Sequence, residues 1–341
     1  MKKEKYILQS VLVGAVVLLV AVGGGFVCWQ KWQAEQAALQ EKIKQTLAEK
    51  IVVCEKIKKI DGLCYDGESE PGVYAVMIEN HSEARPQSGI ADASLVYEAI
   101  VEAPITRFLA IFSADRKVEK IGPVRSARPF YVDWAKEFGA PYAHVGGSDA
   151  ALKQLAAYKY DLNEFFNGKY FWRSSTRTPP HNVYTSFDFI SRAAADMAWT
   201  LAGDFETWLF KPDAALAERG DVESIKVDFL TPAYAVEWRY EKDQNEYVRL
   251  QSGHAHVDSV GKIIRAKNVA VMHVKSKVID DYGRLDVQTL GNGAAEIFLD
   301  GKMFSGKWRR NTLNERTRFF NDRGDEIRFN AGATWIEVKY E

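Results

Sequence analysis

Cysteine is scarce in this chain, with only 3 among 341 residues, and neither sign of charge is in excess. So few cysteines exclude a scaffold built mainly from disulfides. The 45 basic and 46 acidic residues give a formal net charge of -1 at pH 7, which excludes a global basic field for nucleic acid. Hydrophobic residues make up 47% of the chain and charged residues 27%, proportions typical of a folded protein.

Common catalytic motifs are absent as well. The chain has no Gly-x-Ser-x-Gly, no P-loop and no Gly-x-Gly-x-x-Gly, which disfavours a serine hydrolase and a nucleotide phosphotransferase. The histidines His81, His144 and His181 lack the close spacing of a metal motif. His254 and His256 lie on alternate residues and would share one face of a strand, but such pairs in turn-rich regions are common without metal. The sequence therefore predicts no metal and no cofactor.

A single long run without charge lies between Lys5 and Lys31. As a helix, residues 6–30 would be ~37 Å long, enough to cross a hydrocarbon core of ~30 Å. The lysines before this run favour a cytoplasmic N-terminus. We predict a cytoplasmic tail over 1–5, a transmembrane anchor over 6–30, and the bulk of the chain outside the cell membrane.

Two other interpretations of this run remain open. A signal peptide could be cleaved after the small residues at 22–25. A lipid could be attached at Cys28, although Phe26 and Val27 precede it where a lipoprotein signal has a small residue. After the anchor, residues 31–53 carry an apolar stripe typical of a helical stalk or a short dimerising coiled coil.

Cys54 and Cys64 flank a short lysine-rich loop. Outside the membrane, two cysteines that close a small loop predict a structural disulfide. Metal binding is the weaker interpretation, because no second pair of ligands lies nearby in the sequence.

The remaining chain divides into two regions of different pattern. Residues 54–205 alternate strand-like and helix-like runs, which predicts an α/β domain whose mixed or parallel sheet is covered by helices. Residues 206–224 are the predicted linker, and 225–341 predict a smaller β-rich domain. The predicted strands are 73–78, 94–102, 107–113, 142–145, 233–241, 246–251, 269–277, 293–301, 307–310 and 334–340. The predicted helices are 126–138, 148–158 and 186–199, with Ser148 and Ser186 as N-caps.

Polar residues concentrate in three loops of the α/β domain, and Arg107 opens a strand between the first two. Ligand sites in open α/β sheets gather in loops beyond the carboxyl ends of strands. The candidate ligand-binding residues are Asn80, His81 and Arg85 in the first loop, Arg125, Ser126 and Arg128 in the second, Arg173, Arg177, His181 and Asn182 in the third, and Arg107.

The second loop is the strongest candidate for binding an anion. Arg125 and Arg128 lie near a predicted helix N-terminus, where free amides and the helix dipole favour negative charge. Arginine adds a forked donor that suits phosphate or carboxylate. The alternative is a structural role, in which these arginines only pair with Glu98, Glu102 or Asp133.

Several longer motifs are distinctive. They read VMIENHSEARPQSGIADASLVYEAIVEAPITRFLAIF, KIGPVRSARPF, HVGGS and PHNVYTS in the first region, and KNVAVMHV, DDYGRLDVQTLG and TWIEV in the second. Through them, nearly all of the chain after Cys54 resembles the YerB-like family of bacterial envelope proteins, a two-part domain of unknown function often described as a lipoprotein. The resemblance implies a membrane-tethered, extracytoplasmic protein and supplies no chemistry.

A second likeness concerns the run TRFLAIFSADRKVEKIGPVRSARPF. It is similar in layout to the core of LytR–CpsA–Psr proteins, which transfer glycan polymers from a polyprenyl pyrophosphate carrier to the cell wall. The likeness implies that Arg107, Arg125 and Arg128 hold phosphates. Ile105 and Ser126 occupy the places of that family's metal-binding acids, so metal-assisted transfer is not carried over.

Three functions are compatible with these features. We expect a non-catalytic wall-assembly factor whose arginine-lined cleft binds an anionic, polyprenyl-phosphate-like cell-wall precursor or glycan. The first alternative is a phosphotransferase or pyrophosphatase on polyprenyl-pyrophosphate-linked glycans, which would use a divalent cation. The second is a protein-interaction module that assists cell-wall synthesis proteins. Acidic residues that lie close to these arginines in the fold would favour the enzyme, because a divalent cation needs such ligands.

Overall fold

The computed structural model describes residues 29–40, 54–102, 104–281 and 283–341. The predicted tail, most of the anchor and most of the stalk lie outside the described residues. Residues 29–40 form an exposed helix, α1. No helix within the described part of the chain is both long and apolar enough to span a bilayer. Cys54 and Cys64 are both disulfide-bonded, as predicted.

The rest of the described chain is rich in strands and has few helices. The strands are β1 Val73–Glu79, β2 Leu95–Glu102, β3 Ile105–Ser113, β4 Tyr142–His144, β5 Asp161–Asn163, β6 Trp172–Arg173, β7 Val183–Tyr184, β8 Leu209–Lys211, β9 Ser224–Val227, β10 Val236–Glu241, β11 Glu246–Gln251, β12 His254–Ala255, β13 Arg265–Ala266, β14 Asn268–Val274, β15 Ser276–Val278, β16 Leu285–Val287, β17 Gly291–Leu299, β18 Lys302–Arg310, β19 Arg318–Asn321, β20 Arg328–Asn330 and β21 Thr334–Tyr340. The helices are α2 Pro129–Lys136, α3 Asp149–Leu155, α4 Glu164–Asn167 and α5 Phe187–Asp196.

A ten-stranded mixed sheet organises the described residues, in the order β19-β18-β17-β14-β21-β2-β3-β1-β4-β5. The last strand, β21, runs parallel to both of its neighbours, β2 and β14. Both predicted domains therefore contribute strands to one sheet. Within the predicted linker, β8 pairs with β20. Lys56–Glu341 forms one compact unit.

The central strands are buried on both faces. Because side chains alternate along a strand, Val73, Ala75 and Met77 of β1 pack on the face that includes Trp134 of α2. Tyr74, Val76 and Ile78 of β1 pack on the opposite face, with Trp238 of β10. That face is covered by a five-stranded antiparallel sheet of β9 to β13. Helix α5 packs on this second face as well. Both faces of the large sheet are thus covered, which explains why β1 reads as a continuous apolar run.

Helix α2 begins later than predicted. Arg128 is its N-cap, with extended backbone, and Pro129 occupies the first turn, where a missing N–H costs little. Ser126 and Arg125 lie in an extended segment before the helix, because Val124 bridges Ile78 of β1. The N-caps predicted at Ser148 and Ser186 are confirmed, since each hydroxyl accepts a backbone amide.

Candidate functional site

The site is built where the carboxyl end of β1 meets the start of β3. Antiparallel pairing places Glu79 of β1 opposite Arg107 of β3. The amide of Arg125 donates to the carbonyl of Met77, so the extended segment before α2 crosses the same end of β1. The fold therefore assembles polar side chains that lie far apart in the sequence.

Three arginines and two glutamates meet near this end of β1. We call them the arginine cluster: Arg107, Arg125, Arg128, Glu79 and Glu102. The Nε of Arg125 lies 2.9 Å from Oε1 of Glu79. The guanidinium of Arg107 lies 3.6 Å from Glu102, which also pairs with Arg128. Arg107 also donates to the carbonyl of Ser126 at 2.7 Å. Three guanidiniums against two carboxylates leave an excess of one positive charge.

Burial and the repulsion between neighbouring guanidiniums disfavour the charged form of the arginines in this cluster. Burial, together with the charge of Arg125, lowers the pKa of Arg107 to about 10. Burial also lowers the pKa of Arg128, with a contribution from the charge of Arg284. The Nε groups of Arg107 and Arg128 are buried and have no hydrogen-bond partner among the residues that the structure describes. Such unmet donors favour an additional anion.

The start of α2 adds to this preference. The side chain of Arg128 makes no N-cap hydrogen bond, and no acid lies in the first turn of the helix. A helix N-terminus of this kind attracts anions through its amides and dipole. Arg125 and Arg128 keep 22% and 13% of their side chains exposed, whereas Arg107 keeps 5%. A ligand from solvent would therefore meet Arg125 and Arg128 first.

A second group adjoins the arginine cluster, and we call His81, Glu83 and His181 the histidine cluster. His181 Nδ1 lies 2.8 Å from Oε2 of Glu79, and its Nε2 lies 3.1 Å from Oε2 of Glu83. The rings of His81 and His181 stack with their centroids 4.9 Å apart. Both histidines are predicted site residues, whereas Glu83 and Glu79 are not, since no sequence spacing links the first loop to a loop about a hundred residues later.

Asn80 and Arg85 are predicted site residues with several hydrogen-bond partners inside the fold. Asn80 is fully buried, and its amide donates to Glu98 and Thr106. Arg85 donates to the carbonyl of Asn80 and to that of Ala233, and it lies over the ring of Tyr234. Burial lowers the pKa of Arg85. The contacts of Arg85 join the first loop to the turn at Pro232–Tyr234, just before β10.

The remaining predicted residues lie in the third loop. Arg173 pairs with Glu164 at 3.0 Å and donates to Asn182 at 3.3 Å. Arg177 donates to the carbonyls of Glu83 and Pro86 at 3.0 and 2.8 Å. Arg177 therefore fixes the backbone of the first loop, while Arg173 and Asn182 form a separate pair. Neither arginine is part of the arginine cluster.

The other histidines considered in the sequence have structural partners. His144 contacts the carbonyl of Gly146 at 2.7 Å and Asp161 at 2.6 Å. His254 is exposed. His256 is buried between Arg249 and Gln87, and burial followed by the charge of Arg249 lowers its pKa well below the usual value.

A buried ionic network that the sequence analysis missed lies beneath the site. The side chains of Glu98, Arg249 and Glu337 are fully buried, and Arg249 pairs with Glu98. Trp238 donates to Glu337 at 2.8 Å. Burial, together with the charge of Glu98, raises the pKa of Glu337 well above its usual value. This network connects β2, β11 and β21, which are far apart in the sequence.

The fold and the two clusters define a mixed α/β protein with a site of arginines, histidines and glutamates at the carboxyl end of β1. Comparison with known families gives the class: residues 62–200 match the N-terminal domain, and residues 225–336 the C-terminal domain, of the protein of unknown function DUF3048. The chain belongs to this family.

A relative from Bacillus subtilis (strain 168), named "Putative lipoprotein YerB", is 35% identical over 269 residues, which cover 77% of this chain and 80% of the relative. The crystal structure of YerB from Bacillus subtilis matches with a TM-score of 0.75 and 33% identity, over 83% of this chain and 97% of that chain. The predicted resemblance to the YerB-like family is confirmed.

Proposed function

We propose that this chain is an extracytoplasmic envelope protein, tethered to the cell membrane, that binds an anionic cell-wall precursor or glycan at the arginine cluster. A polyprenyl phosphate is the chemical class that we propose for the ligand. The observation that carries the proposal is the meeting of Arg107, Arg125 and Arg128 near the carboxyl end of β1, where Glu79 and Glu102 are the carboxylates paired with them among the described residues.

The location is supported by two features. The relative from Bacillus subtilis carries the word lipoprotein in its name, which associates that protein with a membrane surface. The uncharged run over residues 6–30 is long enough to be a single-pass anchor. We propose a cytoplasmic N-terminus, with the described sheet on the outer side of the membrane.

The ligand contacts follow from the exposure of the arginines. A phosphate group would approach Arg125 and Arg128 from solvent and compete with Glu79 and Glu102 for their guanidiniums. Arginine suits this exchange, because its planar fork can bind phosphate oxygens in pairs. Arg107 is the more buried arginine, and it holds the carbonyl of Ser126. We assign it the role of positioning the second loop.

The test is a double substitution, Arg125→Ala with Arg128→Ala, in the full chain in detergent. Charge-assisted hydrogen bonds contribute about 1.5–3 kcal/mol each. The loss of two predicts a decrease in affinity of roughly 10²–10⁴-fold. The probes are farnesyl pyrophosphate and inorganic pyrophosphate, measured by calorimetry. Tighter binding of the prenyl probe would identify a lipid-linked ligand, and equal binding a phosphate group alone.

The matched control is Arg239→Ala. Arg239 pairs with Glu237 on an exposed part of β10, outside the arginine cluster, so this variant should bind like the wild type. Affinity that is the same in the double variant and the wild type would refute the proposal. It would leave the protein-interaction module as the remaining function.

A phosphotransferase or pyrophosphatase is the second candidate. It is favoured by the two carboxylates, Glu79 and Glu102, that converge on the arginines, because acids are needed to hold a divalent cation or move a proton. The discriminating measurement is phosphate release from farnesyl pyrophosphate with and without magnesium. Release that Glu79→Gln and Glu102→Gln both abolish would establish the enzyme. Binding without release would establish the non-catalytic factor.

A further inference from the structure

The histidine cluster brings together side chains that could bind a metal ion. One ligand atom each from His81, Glu83 and His181 can be chosen so that all three lie within 4.8 Å of one another. The distance from His181 Nε2 to Glu83 Oε2 is 3.1 Å. Two ligands at ~2.0 Å from a tetrahedral zinc ion would be ~3.3 Å apart. This pair is therefore already at the spacing of two metal ligands.

The hydrogen bonding of His181 is consistent with a bound cation. Nδ1 lies 2.8 Å from the carboxylate of Glu79, and since a carboxylate only accepts, this nitrogen carries the hydrogen. Nε2 then presents either a lone pair or a second hydrogen to Glu83. A lone pair facing a carboxylate oxygen at 3.1 Å is repulsive. A proton or a metal ion has to lie between the two atoms.

The surroundings share two features with known metal sites. Histidine ligands commonly donate their second nitrogen to a carboxylate, which fixes the ring and increases its basicity, and Glu79 does this for His181. Arg177 fixes the ligand-bearing loop through the carbonyls of Glu83 and Pro86. Two imidazoles and one carboxylate, with a fourth position left for water or substrate, suit zinc.

We propose that His81, Glu83 and His181 bind one divalent transition-metal ion of the zinc class, with Glu79 as the residue that orients His181. The ring of His81 has to turn from its stacked position to complete the ligand set. It can do so because it is half-buried and its Nδ1 accepts only one long hydrogen bond, at 3.3 Å from the amide of Glu83. This proposal differs from the sequence expectation that the chain binds no metal.

The metal would lie next to the arginine cluster. Glu79 contacts Arg125 with one oxygen and His181 with the other. An ion at the histidine cluster would therefore add positive charge beside the guanidiniums. The proposal stands without the proposed function, because the probe that tests it is the metal alone.

The experiment is a titration of the untagged full chain, in detergent and freed of metal by a chelator, with Co²⁺ followed by Zn²⁺. Cobalt in a site with nitrogen and oxygen ligands gives visible absorption bands, which zinc abolishes when it displaces cobalt. We expect one ion per chain. Glu83→Gln and His181→Ala should each weaken binding at least a hundredfold, and Glu79→Gln by roughly 10–100-fold, as for other residues that orient a ligand.

Two controls separate lost ligands from lost folding. The side chain of Glu83 is 71% exposed, so Glu83→Gln should unfold at the wild-type temperature when metal is absent. His254→Ala removes an exposed histidine outside the cluster and should keep the wild-type affinity. The absence of bands at millimolar Co²⁺ in the wild type would show that a proton bridges His181 and Glu83 and would overturn the proposal. Equal binding by the wild type, Glu83→Gln and His181→Ala would overturn it as well.

Discussion

Replacement of Arg249 by Met tests how the two halves of the chain are held together. Arg249 of β11 is fully buried and pairs with Glu98 of β2, while its Nε lies 3.8 Å from Glu337 of β21. Methionine fills similar apolar volume but leaves both carboxylates without their guanidinium. Removal of one partner from a buried ion pair costs about 3–5 kcal/mol. We expect this decrease in the free energy of unfolding.

The assay is urea unfolding at several pH values, followed by tryptophan fluorescence. The folded state raises the pKa of Glu337, so its protonated form stabilises the fold. That contribution is complete below the unfolded pKa of about 4.3 and is lost as the pH rises toward the folded value. The positive charge of Arg249 partly opposes this rise in the pKa of Glu337. Without Arg249, the free energy of unfolding therefore depends more strongly on the protonation of Glu337. The destabilisation by Arg249→Met should therefore be smaller at pH 5 than at pH 8.

The control for this prediction is Arg239→Met, which removes an exposed arginine on the neighbouring strand and should leave the unfolding midpoint unchanged. A loss below about 1 kcal/mol at pH 7 in Arg249→Met would place its pair in the range of surface salt bridges. That result, or a loss independent of pH, would refute the assigned role of the buried network.

Two further stability predictions concern other buried contacts. Glu137→Gln should lower the free energy of unfolding by about 3–5 kcal/mol, measured by urea unfolding. The reason is that this buried carboxylate accepts a hydrogen bond from Thr317 and lies between two buried arginines. A variant as stable as the wild type would contradict this prediction. Gly301→Ala should lower the melting temperature more than Gly261→Ala, because both glycines have positive φ but only at Gly301 would a Cβ meet the ring of Tyr240, at 2.3 Å. Equal losses would mean that backbone strain alone decides the cost.

The sequence predicts individual strands well because their signals are local. Strands β11 and β21 match the predictions residue for residue, and β1 differs by one residue. Alternating apolar side chains and the turn residues between strands determine these bounds. Asp300 and Gly301 connect β17 to β18, and both have positive φ, as a tight hairpin requires.

The order of strands in the sheet could not be predicted in the same way. Nothing near Thr334–Tyr340 indicates that this strand inserts between β2 and β14. The position of β21 in the sheet depends on side-chain packing and on the buried pairing of Arg249 with Glu98 and Glu337. Both involve residues far away in the chain. Predicted domains separated by residues 206–224 consequently share a sheet, and the domain boundaries stay a prediction.

The candidate site, like the fold, could be predicted from the sequence only in part. Arg107, Arg125 and Arg128 were grouped from loop positions and charge, and the structure brings them together. Glu79 was not recognised, because it directly follows a predicted strand and its partners Arg125 and His181 come from separate later loops. Local pattern identifies which residues lie in loops, whereas the pairing of acids with arginines is decided by the tertiary fold.

The most direct test of the arginine cluster as a binding site is mass spectrometry of the lipids and glycans that remain bound to the full chain after extraction in detergent. Our account predicts polyprenyl-phosphate-linked species with the wild type and with Arg239→Ala, and their loss when Arg125 and Arg128 are both alanine. Wild-type protein without any such species, or the same species at the same yield in all three preparations, would contradict the account.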